Sequence, residues 1–205
     1  MRMRQYSTLM PLLESGAVVL GVDAYGVVYN ELGCFESVKP VIDYCNLHDI
    51  PVVMMTNNAT QSIVEISNKL HEFDIAIAPE YVISSGCGCY ELPDIRSRLE
   101  GEKVFVYGYP GSKYYPDKAG ALIVDSVTDA DCIVMAASLG SVNHRVYYEC
   151  FNALQQRDDM DVICINPDHY VRYGHGYYRV MGYYAHQLEI QLNRHWIWMG
   201  KPYSL

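Results

Sequence analysis

Apolar residues fall in short runs that alternate with stretches of helical spacing. Leu9 to Leu13 reads as a short helix closed by Ser15-Gly16. Ala17 to Val22 is a continuous apolar run, the pattern of a strand buried on both faces, and it ends in Asp23-Ala24-Tyr25-Gly26. Val38 to His48 has helical spacing, with Val41, Ile42, Cys45 and Leu47 on one face. Pro51 to Met55 predicts a second buried strand, ending in Thr56-Asn57-Asn58. A helix follows, with Ile63, Ile66 and Leu70 in line and Thr60 or Ser62 as its cap. From Lys103 a second series begins. Strands are expected at Val104–Tyr107, Ala121–Val124, Cys132–Ala136 and Val162–Ile165, with a turn at Gly108–Gly111 and a helix over Tyr147–Leu154. Tyr183–Leu192 reads as a helix and Trp196–Met199 as a last strand, followed by Gly200-Lys201-Pro202. Strands alternating with helices imply a parallel, doubly wound α/β sheet whose ligand sits at the strand carboxyl ends. The second series reads as an inserted α/β unit of roughly 80 residues.

Composition narrows the class. The 205 residues suffice for a core plus an insertion, and 50% hydrophobic against 19% charged residues excludes a disordered or fibrous chain. The net charge of −9 argues against nucleic-acid binding, which relies on cationic contacts to phosphates. Seven irregularly spaced cysteines do not form a disulfide framework. Met1–Arg4 is basic but precedes no signal-peptide core, and no apolar run reaches the ~20 residues that span a bilayer. A reducing, cytoplasmic setting without membrane partners is expected. Cys87-Gly88-Cys89 has no second Cys/His pair at zinc-site spacing and reads as small buried thiols at a helix start. The histidines form no metal spacing. His175, between Gly174 and Gly176, is the one placed for function. Tyrosine is over-used at 19, and Tyr170, Tyr173, Tyr177, Tyr178, Tyr183 and Tyr184 cluster where the insertion ends. They suit a substrate pocket, a dimer surface or ordinary packing.

Three polar groups follow three apolar strands: Asp23, Thr56 and Lys201. A carboxylate can act as nucleophile or metal ligand. A Thr hydroxyl with backbone amides near a helix start can hold phosphate. A lysine can neutralise nucleophile and phosphate together. In their context, VLGVDAYGVVYN (19–30), VMMTNNA (53–59), Asn-Pro-Asp (166–168) and Gly-Lys-Pro (200–202) resemble, in order, the motifs of haloacid dehalogenase subfamily IIA. The resemblance implies a Rossmann-like core over 1–88, an inserted α/β cap over 89–180 and a return to the core over 181–205. It implies that Asp23 is a nucleophile forming an aspartyl-phosphate, that Thr56 and the Asn57 amide bind phosphate, and that Lys201 steadies both. It also implies that magnesium is held by Asp23 and the Tyr25 carbonyl, and that Asn166, Asp168 and the nearby His175 help select a small phosphorylated metabolite.

Two departures qualify this. Tyr25 stands where the phosphatases carry the acid that protonates the leaving group, so it takes the catalytic position with weak activity expected. The family's fourth motif, with its further metal ligand, has no counterpart, so magnesium binding is expected to be weak. The core is expected to stop short of its C-terminal part, leaving the Trp196 strand with an open edge that invites a second copy. Against the phosphatase reading stand a phosphate-binding or interaction protein that lost catalysis, and a metal-free dehalogenase, whose Asp-x-Tyr-Gly pattern is also similar.

Overall fold

The computed structural model describes residues 9–136 and 142–203. The basic N-terminal tetrapeptide lies outside the described residues. Helix α1 (Met10–Glu14) leads into β1 (Leu20–Val22), a short hairpin β2 (Tyr29–Asn30) and β3 (Gly33–Cys34), helix α2 (Val38–Leu47), β4 (Val52–Thr56), helix α3 (Ile63–His71) and β5 (Val82–Ser84). Strands β1, β4 and β5 form a parallel sheet in the order β1-β4-β5, with Leu20 opposite Val52 and Met54 opposite Val82. One face carries Met54, Val52 and Val82 into a core closed by Ile42 and Cys45 of α2 and by Ile66 and Leu70 of α3. Helix α3 starts cleanly because of a capping box. The Ser62 hydroxyl accepts the Glu65 N–H at 3.2 Å, and the Glu65 carboxylate accepts the Ser62 N–H at 2.7 Å.

Helices α4 (Gly88–Glu91) and α5 (Pro93–Leu99) bridge to a second sheet. Its elements are β6 (Lys103–Tyr107), helix α6 (Tyr114–Lys118), β7 (Leu122–Val124), β8 (Cys132–Met135), helix α7 (His144–Gln156) and β9 (Asp161–Cys164). A hairpin follows, β10 (Tyr170–Tyr173) and β11 (Gly176–Arg179), then helix α8 (Met181–Leu192) and β12 (Ile197–Trp198). The second sheet is parallel in the order β12-β9-β8-β6-β7. Strand β8 is buried at every position, as befits a central strand covered on both faces. Cys87 and Cys89 sit at the start of α4, both buried, as the sequence predicts, and burial pushes the Cys89 thiol well up and out of reactive range. Among the described residues no helix is long and apolar enough to cross a membrane.

Three expectations change. The Ala17–Val22 run is not buried on both faces: Val18 is 84% and Val19 51% exposed, and the strand spans three residues. Strand β1 is a sheet edge, and α2 and α3 cover one face, so Met55 and Ile83 of the other face are exposed as well. Leu47, expected on the buried face of α2, is 79% exposed at its last turn. The 181–205 segment does not return to the first sheet as a strand. Strand β12 pairs in parallel with β9, Trp198 opposite Cys164, because α8 packs Met181, Ala185 and Leu188 into the core of the second sheet and leads the chain back along that edge. The turn after β12 is what reaches the first sheet.

Candidate active site

The carboxyl ends of β1, β4, β9 and β12 converge on one cleft of about 1480 Å³ between the two sheets. All eight residues singled out in the sequence line it: Asp23, Tyr25, Thr56, Asn57, Asn166, Asp168, His175 and Lys201. Asp23 follows β1, and its Oδ1 accepts the Ala24 N–H at 2.8 Å and the Lys201 ammonium at 2.7 Å. The same ammonium donates to the Met55 carbonyl at 3.0 Å. Two fixed acceptors therefore hold a long, flexible side chain at the carboxylate. Thr56 is buried at the end of β4, and its hydroxyl oxygen accepts the Asn58 N–H at 3.1 Å.

Asn57 does more than lend an amide. Its Nδ2 donates to Asp168 Oδ1 and to the Lys201 carbonyl, both at 2.8 Å, and its Oδ1 accepts the Lys201 N–H at 2.8 Å. One buried side chain thus ties the Asn166–Asp168 turn and the Gly200–Lys201 turn to the end of β4. Gly200 has φ +95°, and a Cβ there would lie 2.6 Å from Asn57 Oδ1 and 2.6 Å from Ser85 Cβ. Glycine is required for that approach. Ser84 and Ser85, which the sequence did not single out, complete the seam: Ser84 Oγ donates to the Asn58 carbonyl at 2.7 Å, and Ser85 Oγ is bonded to the Asn57 and Ile165 carbonyls.

Glu31 is the other residue the sequence left unmarked. Its carboxylate accepts the Tyr25 hydroxyl at 2.6 Å and the Gly174 N–H at 2.6 Å, so it joins Tyr25, two positions after Asp23, to the turn of the β10–β11 hairpin. Burial first, then the bond to and the charge of Glu31, push the Tyr25 phenol up to about 12, while the Tyr25 bond leads the causes that hold Glu31 below the usual carboxylate range. At neutral pH the phenol is therefore a donor to Glu31 and a poor proton-transfer group. By linkage, its share of stability is full below the unfolded value of about 10 and is lost as the pH rises through 12. Glu31→Gln is expected to bring the Tyr25 titration down from about 12 toward 10. Ultraviolet difference titration against Tyr25→Phe reads it, and an unmoved titration would show that Glu31 is not the controlling partner.

His175 lies exposed in the hairpin turn on the cleft side. Of the tyrosine cluster, Tyr170 and Tyr173 line the cleft, Tyr177 and Tyr178 are exposed, and Tyr184 packs edge-on to Tyr147 of α7. Asp23 and the Tyr25 carbonyl are a thin donor set for magnesium, which takes near-octahedral oxygen ligands. Among the described residues no three His, Cys, Asp or Glu side chains are placed to hold a metal. Asp23 and the Tyr25 carbonyl would hold such an ion only with waters or phosphate oxygens completing its shell.

Residues 20–121 match the model of the haloacid dehalogenase-like hydrolases. Over this segment the chain is similar to that family. An acid sugar phosphatase of Staphylococcus aureus is 28% identical over 149 residues, covering 72% of this chain and 54% of the relative. The chain thus spans about half the length of the curated relatives it matches. A possible sugar phosphatase of the superfamily from Cytophaga hutchinsonii superposes with TM-score 0.83 at 23% identity, over 98% of this chain and 72% of that one. A glycerol phosphate phosphatase from Mycobacterium tuberculosis, solved with calcium, gives TM-score 0.75 at 20% identity, over 90% and 53%. These superpositions establish the haloacid dehalogenase-like fold.

Proposed function

We propose that the chain hydrolyses small phosphomonoesters through an aspartyl-phosphate on Asp23. The observation that carries this reading is the Lys201 ammonium held at 2.7 Å from Asp23 Oδ1, at the mouth of a cleft large enough for a sugar phosphate. With Oδ1 fixed by two donors, attack on phosphorus falls to the other carboxylate oxygen. Lys201 offsets the negative charge of both nucleophile and phosphoryl group, an effect worth most when the donor is held in place beforehand. Thr56 and the Asn57 amide receive the phosphoryl oxygens. Asn166 and His175, on the turn and hairpin facing the cleft, contact the rest of the substrate. The relatives named for sugar phosphates support a phosphorylated polyol as substrate class.

Lys201→Met is expected to lower kcat for p-nitrophenyl phosphate by about 10²–10³-fold. Steady-state kinetics measures it, and an unchanged kcat would remove Lys201 from the reaction. A second reading, a phosphate-binding protein without turnover, draws support from the Tyr25–Glu31 bond. Under that reading calorimetry detects inorganic phosphate binding while p-nitrophenyl phosphate is left intact.

A further inference from the structure

We propose that Asp168 is the proton-transfer carboxyl of this site; the proposal rests on the phosphomonoesterase reading above. Breaking a phosphate ester bond sends an electron pair to the leaving oxygen, which needs a proton unless the alcohol is unusually acidic. Opening the acyl phosphate then requires that water lose one. Positioned acid–base groups supply about 10²–10⁴-fold in such steps. The Tyr25 hydroxyl is engaged with Glu31 and is poorly suited to either duty.

Among the described residues four carboxyls line the cleft: Asp23, Glu31, Glu65 and Asp168. Asp23 is the nucleophile. Glu31 is bound by Tyr25 and Gly174. Glu65 is bound by the Ser62 N–H and hydroxyl at 2.7 and 2.9 Å, as the cap of α3. Asp168 is left, and it is indexed to the nucleophile. Its Oδ1 accepts from Asn57, Asn57 grips the backbone of Lys201, and the Lys201 ammonium rests on Asp23. Its backbone is fixed as well, since its carbonyl accepts the Gly182 N–H at 3.0 Å and a Cβ at Gly182 would collide with the Pro167 carbonyl. The turn therefore has a single seat against α8.

The surroundings suit a carboxyl that changes protonation in use. Asp168 is exposed as a residue, but partial desolvation of its carboxyl against the cleft wall pushes it above its ordinary value and the charge of Asp23 adds to this, while Asn57, Lys201 and His169 pull it down, leaving a net rise. In the first half-reaction Asp23 attacks phosphorus, the phosphorus–ester oxygen bond breaks, and the protonated Asp168 gives its proton to the departing oxygen. In the second, water attacks the aspartyl-phosphate and passes a proton to the Asp168 carboxylate. The phosphorus–Asp23 oxygen bond breaks, which restores both carboxyls and frees inorganic phosphate.

The test compares wild type with Asp168→Asn, which keeps an acceptor for Asn57, on a series of aryl phosphates from p-nitrophenyl to phenyl. The variant should widen the kcat/KM ratio between the two ends of the series by about 10²-fold, because the poor leaving group needs the proton most. It should also show a burst of p-nitrophenolate equal to the enzyme present, followed by slow turnover as the aspartyl-phosphate waits for water. The wild-type kcat/KM for phenyl phosphate should fall as the pH rises through the Asp168 titration, and the variant should lack that limb. An equal loss on both substrates, with no burst and the same pH profile, would overturn the proposal and leave Asp168 a positioning residue. Wild type inactive on the whole series would overturn the phosphomonoesterase reading, and this proposal with it.

Discussion

Asp23→Asn is expected to stop phosphate release from p-nitrophenyl phosphate, lowering kcat by about 10⁴–10⁶-fold, the scale seen when a nucleophile is removed. The exchange keeps the shape of the side chain and an oxygen for the Ala24 N–H, so the strand end is undisturbed. The ion pair it removes is nearly half exposed on both sides, at 47% for Lys201 and 43% for Asp23. Pairs of that exposure contribute about 0–1 kcal/mol. The thermal midpoint should therefore change little while activity disappears. A parallel collapse of both would mean that the carboxylate holds the fold rather than the reaction.

Asn57→Ala is the second large effect. Asn57 is 7% exposed, and both its amide hydrogens and its carbonyl oxygen are used in bonds that join three turns. Truncation strands the Lys201 N–H and carbonyl in a poorly solvated seam, a cost of about 1–3 kcal/mol. It also frees the Gly200–Lys201 turn, and misplacement of a catalytic group by about 1 Å can lower the rate some 10²-fold. Asn57→Asp should be no milder, since it sets a carboxylate oxygen against the Lys201 carbonyl and the Asp168 carboxylate. Denaturant midpoints and kcat read both effects. A variant with wild-type kcat would show that Lys201 finds Asp23 without this anchor.

The contrast between these residues shows what a sequence can carry. Asp23, Thr56 and Lys201 were legible because each ends an apolar strand, and the parallel α/β pattern brings strand carboxyl ends together. The family motifs added Asn166 and Asp168. The Asn57 side chain was not legible in this role, since its partner Lys201 lies 144 positions away and no local pattern announces the bond. Glu31 carried no motif signal in the sequence, and only the folded hairpin brings Gly174 to it. Strand β5 was missed because three residues show no period. The β10–β11 hairpin was missed because Tyr170–Arg179 carries Val171 as its one aliphatic residue and shows no apolar alternation. The pairing of β12 followed from how α8 packs, a tertiary fact that the Trp196–Met199 run does not encode.

The central claim is a covalent phosphoryl group on Asp23. The wild-type chain is allowed to turn over p-nitrophenyl phosphate, quenched in acid, reduced with borohydride and mapped by peptide mass spectrometry. Reduction of an aspartyl-phosphate converts the residue to homoserine, and the account predicts that change at position 23 and nowhere else. Steady turnover with an unmodified Asp23, or with the mark on another residue, would contradict it.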